Sequence, residues 1–129
     1  MKRSIPAVVA GLVTWVVVAS VLDRLLRLTL AGYAAAEPQM TFTLAMMAAR
    51  LTIGGLSSLA AGAVAGVITA PGARAPWVLG VILLAAFVPE HVMIWKSLPP
   101  WYHLIFLVSL VPLTVLGAHL ASGRVRPHP

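Results

Sequence analysis

The chain has 129 residues, of which 60% are hydrophobic and 9% charged, with a formal net charge of +6. A soluble domain carries roughly 25% charged residues, so this composition excludes an ordinary water-soluble fold. The chain has no cysteine, which excludes disulfides, thiolate metal sites and cysteine nucleophiles.

Four apolar stretches dominate the chain. Ile5–Leu22, Leu51–Ala73 and Ser97–Gly123 contain no Asp, Glu, Lys or Arg, and Trp77–Trp95 contains only Glu90. A helix needs about 20 apolar residues to cross a bilayer. In lipid the backbone must be paired internally, as a helix or a closed barrel. Barrel strands alternate apolar and polar residues, and runs such as 78–86 do not alternate. The sequence therefore predicts an all-α membrane protein, a single domain of four transmembrane helices.

The first helix spans about 4–30. Met1-Lys2-Arg3 ahead of an apolar run resembles a secretory signal peptide, but Val17 is a poor fit three residues before a cut after Ala19. An uncleaved first helix is expected. Asp23 and Arg27 are spaced i,i+4 with the acid first, the favourable order. Gly32 is suited to closing this helix and Pro38 to opening the next. The second helix covers about 41–70, with Arg50 dividing an amphipathic lead from an uncharged span. Residues 71–76 read as a turn rich in breakers. The third helix covers 77–95, and the fourth covers 101–121 with a kink expected at Pro112. Residues 122–129 read as a disordered basic tail.

Orientation follows from Lys and Arg. With the N-terminus inside, Lys2, Arg3, Arg74, Arg124 and Arg126 are cytoplasmic, and Arg24, Arg27, Arg50 and Lys96 lie outside. The count favours an N-in/C-in arrangement. Trp77 then falls at the inner interface, and Trp95, Trp101 and Tyr102 at the outer one. Trp15 lies deeper, where packing between helices is expected. The basic residues sit at the ends of apolar runs, so they indicate orientation and not nucleic acid.

Gly54, Ser58, Gly62 and Gly66 repeat at a spacing of four, the small-xxx-small pattern that lets backbones approach in lipid. Packing within the bundle is the favoured reading. A face for a second copy, or for another membrane protein, is the competing one. Arg50 leads into the same row and should point toward the packed side.

The acids Asp23, Glu37 and Glu90 all fall on the outer side, with Arg50, His91 and His103. Glu90 lies roughly 7 Å inside its helix, and an intramembrane carboxylate is a functional-site hypothesis by default. The favoured reading pairs it with Arg50 or Lys96, tying helix three to helix two. The alternative is a proton or cation site built from Glu90, His91, His103, Arg50 and Asp23. Met40, Met46, Met47 and Met93 beside the histidines would suit a soft metal, but their spacing matches no known site, so no metal or cofactor is expected. Ser57, Ser58 and Ser109 lack a placed base and should bond back to helix carbonyls. No catalytic motif is present, and no enzyme activity is expected.

Through Met1-Lys2-Arg3, the Gly-rich second helix and Leu98-Pro99-Pro100-Trp101-Tyr102-His103-Leu104 followed by Leu116-Gly117-Ala118, the chain resembles a loose group of small four-helix bacterial inner-membrane proteins. The resemblance implies an inner-membrane setting and no particular activity. Small multidrug transporters carry a membrane Glu in the first helix, and Ile5–Leu22 has none. Small fluoride channels carry glycines followed by Arg near the N-terminus, whereas Arg50 precedes the glycines. The expected function is structural or accessory, with a small proton- or ion-linked transporter or channel as the alternative.

Overall fold

A computed structural model describes residues 3–70 and 72–125. Among them the chain is all-helical, and no strand occurs. Helix α1 spans Ser4–Thr29, short α2 Tyr33–Ala36, α3 Leu44–Ile68, α4 Ala75–Met93 and α5 Pro100–Val125. Single 3₁₀ turns lie at Glu37–Gln39 and Trp95–Ser97. Four of the helices, all but α2, are long and apolar enough to cross a membrane.

The first connection departs from expectation. Gly32 adopts φ 81° and starts α2, and Met40 also has a positive φ of 54°. Pro38 sits in the 3₁₀ turn, so it does not open the long helix. Thr43 does so, its Oγ1 accepting from the Met46 N–H at 3.2 Å. A hydroxyl at the N-cap satisfies a donor that the helix itself leaves unpaired. At the other terminus α5 runs on to Val125 and passes through Pro112 unbroken, so residues 122–125 belong to the helix and not to a tail. Residues 126–129, and with them His128, lie outside the described residues.

Helices α1 and α4 run one way, and α3 and α5 the other. Their most extensive contact is the parallel pair α3 and α5, followed by α1 against α3. Small residues explain the α3–α5 contact. A Cβ at Gly62 would collide with the Thr114 carbonyl, and one at Gly117 with the Leu59 carbonyl. At Gly66 it would lie 2.6 Å from the Ala118 oxygen, and at Gly54 2.7 Å from the Phe106 ring. The two backbones are therefore in contact, where dispersion and Cα–H···O interactions accumulate. Ser122 Oγ also donates to the Gly66 carbonyl at 3.3 Å. Trp15 is buried and donates from Nε1 to Ser58 Oγ at 3.1 Å, fastening α1 to α3. Ser57, Ser58 and Ser109 bond back to the carbonyls of Ile53, Gly54 and Phe106.

The burial pattern is the reverse of a soluble protein's. Ala7, Gly11, Gly54, Ser58, Ala61, Gly62, Ala65 and Gly66 face inward. Ile5, Val9, Val13, Val16, Val21, Leu104 and Val108 face outward. A contiguous apolar exterior of this kind is stable only against lipid or another apolar surface.

Overpacking a tight site typically costs about 1–3 kcal/mol. At Gly55 an added Cβ meets only Leu113 Cδ1 at 3.4 Å, an ordinary contact, and gains helix propensity. Gly62→Ala should therefore lower the thermal unfolding midpoint in detergent clearly, while Gly55→Ala leaves it unchanged or raises it. Equal midpoints for the two variants would contradict the backbone contact.

Candidate functional site

The polar residues collect at one end of the bundle around Arg50. Its position in the first turns of α3, one turn before Gly54, aims the guanidinium at α1, the α2 segment and α5. Nη1 donates to the Tyr33 hydroxyl at 2.7 Å and Nε to the Tyr102 hydroxyl at 3.0 Å. Nη1 also lies 3.6 Å from Glu37 and 4.0 Å from Asp23. The guanidinium carbon stands 4.6 Å above the Phe42 ring, a cation–π distance. Arg27 closes the network from outside, pairing with Asp23 at 3.5 Å and, at short range, with Glu37.

Tyr33 is the hinge of this network. It is fully buried, accepts from Arg50 and donates to Asp23 Oδ1 at 2.7 Å. Burial and the Asp23 carboxylate raise its pKa above the usual tyrosine range, against the opposing pull of Arg50. A raised pKa means that the phenol's contribution to stability is complete below about pH 10 and is lost as pH rises beyond it.

The expected Glu90–Arg50 pair does not form. Arg50 pairs with Asp23 and Glu37 instead, and Glu90 is exposed with no ion pair to Arg50 or Lys96 among the described residues. The cause is helix order: α3 packs chiefly against α1 and α5, so α4 approaches Arg50 only across the diagonal.

Glu90 nevertheless shares a cavity with Arg50. A space of about 210 Å³ is lined by Asp23, Glu37, Arg50, Glu90 and His91 above Trp15, Phe87 and Phe106. The three rings form a floor, with centroids 4.7–6.4 Å apart. His103 stands behind His91, stacked on Trp95 at 4.6 Å.

The two histidines face each other, Nδ1 to Nδ1, at 2.7 Å, and His103 Nε2 lies 3.2 Å from the Trp95 carbonyl. The carbonyl only accepts, so His103 carries its proton on Nε2. A neutral His103 then accepts at Nδ1, which places the His91 proton on Nδ1. His91 Nε2 is left as a bare acceptor with no partner among the described residues, and His91 is one of the residues lining the cavity. Protons on both facing Nδ1 atoms at once would set two N–H groups against each other at 2.7 Å.

The methionines do not converge on these rings. Met46 packs on Tyr33, Met47 on Leu98 and Tyr102, and Met93 is exposed. Among the described residues no three of His, Asp and Glu stand together as a metal site would require. His119 is exposed near the opposite end.

Two residues escaped the sequence reading. Tyr33 falls between the predicted helices 4–30 and 41–70, and Tyr102 at the predicted outer interface, yet both are buried against Arg50. An arginine one turn ahead of a glycine row needs acceptors, and that demand is the signal that could have found them. Comparisons with family models, curated proteins and solved structures find no match.

Removing one partner of a fully buried ion pair costs about 3–5 kcal/mol. The Arg50 side chain is 24% exposed, so Arg50→Leu should fall somewhat short of that. Arg27 is 54% exposed, and Arg27→Ala should cost no more than about 1 kcal/mol. Denaturant unfolding in detergent measures both. Adding Asp23→Asn and Glu37→Gln to Arg50→Leu should restore part of the loss, because two carboxylates that then share only the exposed Arg27 are made neutral.

Proposed function

We propose that this chain is a four-span protein of a bacterial inner membrane, with both termini cytoplasmic, and that its role there is structural or accessory. The observation that carries the reading is the disposition of the polar groups. Arg50 and its two carboxylates are spent in fastening α1, α2, α3 and α5 to each other. Below the floor of Trp15, Phe87 and Phe106 the interior holds small and apolar side chains, with the Ser57, Ser58 and Thr114 hydroxyls tied to helix carbonyls. Among the described residues no continuous polar path leads through such an interior, which argues against a pore. The lipid bilayer is the principal partner, and the exposed apolar faces suit another membrane protein or a second copy.

A second reading rests on a separate observation. The bare His91 Nε2 and the unpaired Glu90 share the cavity, and intramembrane ionisable groups commonly serve proton or cation movement. A small carrier loading at this end would use them.

Reconstitution in liposomes separates the two. The structural reading expects proton, sodium and potassium fluxes equal to those of protein-free vesicles. A wild-type flux abolished by Glu90→Gln, with the unfolding midpoint unchanged, would establish the carrier instead. Topology is checked by single cysteines in intact cells. Gln39→Cys should react with an impermeant maleimide and Arg74→Cys should not.

A further inference from the structure

The end of the bundle opposite the ion network holds a different cavity. Between α1 and α4 lies a groove of about 670 Å³. Its walls are Ile5 and Val9 on one side and Val78 and Ile82 on the other, with Ser4 and Arg74 at its mouth. Arg3 is exposed and immediately precedes Ser4 in the chain.

Three observations identify an occupant. The walls are aliphatic and belong to two helices of spanning length. From Arg74 to Ile82 the groove runs about 12 Å at helical rise, most of the ~15 Å half-thickness of a hydrocarbon core. The charges at the mouth are also one-sided. The chain has three side-chain carboxylates, Asp23, Glu37 and Glu90, and all three lie at the far end, lining the other cavity. Arg3 and Arg74 therefore have no acidic side chain within reach.

We propose that this groove binds one anionic phospholipid. An acyl chain lies along the α1–α4 seam, and the phosphodiester meets Arg74 with Arg3 beside it. Guanidinium groups recognise phosphate oxygens through paired N–H donors. Basic pockets between spanning helices are a known form of anionic-lipid site. The inference requires that the chain be in a membrane. It does not depend on the role proposed for the acid-bearing end, nor on which compartment that end faces.

Native mass spectrometry of the full chain, offered equimolar phosphatidylglycerol and phosphatidylcholine of identical acyl chains, tests it. An arginine near a membrane surface contributes about 1 kcal/mol toward an anionic lipid. The single-lipid adduct should therefore favour phosphatidylglycerol by at least about fivefold. Arg74→Gln should reduce that preference about fivefold. Arg74 is exposed and makes no side-chain cap bond, so the variant should fold. Val78→Trp fills the groove from a side chain that already faces outward and should abolish both adducts without lowering the unfolding midpoint. Equal binding of the two lipids by wild type, an undiminished preference in Arg74→Gln, or a retained adduct in Val78→Trp would overturn the proposal. So would a chain dimer that excludes lipid from the groove.

Discussion

The close approach of two parallel backbones, α3 and α5, governs this structure. Its register is regular. Arg50 meets Tyr102, a separation of 52 residues, and Gly54 with Phe106, Gly62 with Thr114 and Gly66 with Ala118 keep the same offset. The partners step by four or eight, always a multiple of four, so the i±4 rows of the two helices interdigitate. Side chains larger than Gly, Ser or Ala on the α3 row would push the helices apart and dissolve the register. In lipid no hydrophobic force would bring them back, because the surrounding chains are as apolar as the helices.

The polar end inherits its geometry from that seam. One turn above the Gly54–Phe106 contact, the same offset brings the Arg50 guanidinium to the Tyr102 hydroxyl. A cation there must be satisfied, and the nearest chain is the connection that follows α1. Gly32, with its positive φ, turns that connection so that Tyr33 lies beneath it and Glu37 faces the guanidinium. Asp23 completes the set from the last turns of α1. Three separate segments thus converge because one half-buried charge needs all of them.

Glu90 and the histidine pair stand apart from this network. Helix α4 touches α3 only lightly and contributes to the shared cavity from its far wall. Among the described residues the carboxylate of Glu90 and the bare nitrogen of His91 have no hydrogen-bond or ion-pair partner, while the other two acids are paired. The bundle therefore holds a paired ion cluster and a chemically open wall facing each other across about 210 Å³. Its opposite end is basic at the rim and aliphatic within, so the two ends offer different chemistry to whatever surrounds them.

Four helices of spanning length are legible in composition alone, because uninterrupted apolar runs near 20 residues have few other solutions. The Asp23–Arg27 pair and the serine back-bonds are local, and residues three or four apart on one helix meet whatever the tertiary structure does. The breaks after α1 were less legible. Pro38 falls in a 3₁₀ turn, and the Thr43 hydroxyl, accepting from the Met46 N–H, opens the long helix instead. The partner of Arg50 was not legible. Asp23, Glu37 and Glu90 are equivalent carboxylates in a one-dimensional reading, and helix adjacency alone decided between them. The facing Nδ1 atoms of His91 and His103 likewise join residues on different helices, and no spacing along the chain encodes their 2.7 Å contact. Sequence determines what each segment is, since period and polarity are local properties. Which charges meet depends on the order of helices around the bundle, and that order emerges only when all four pack together.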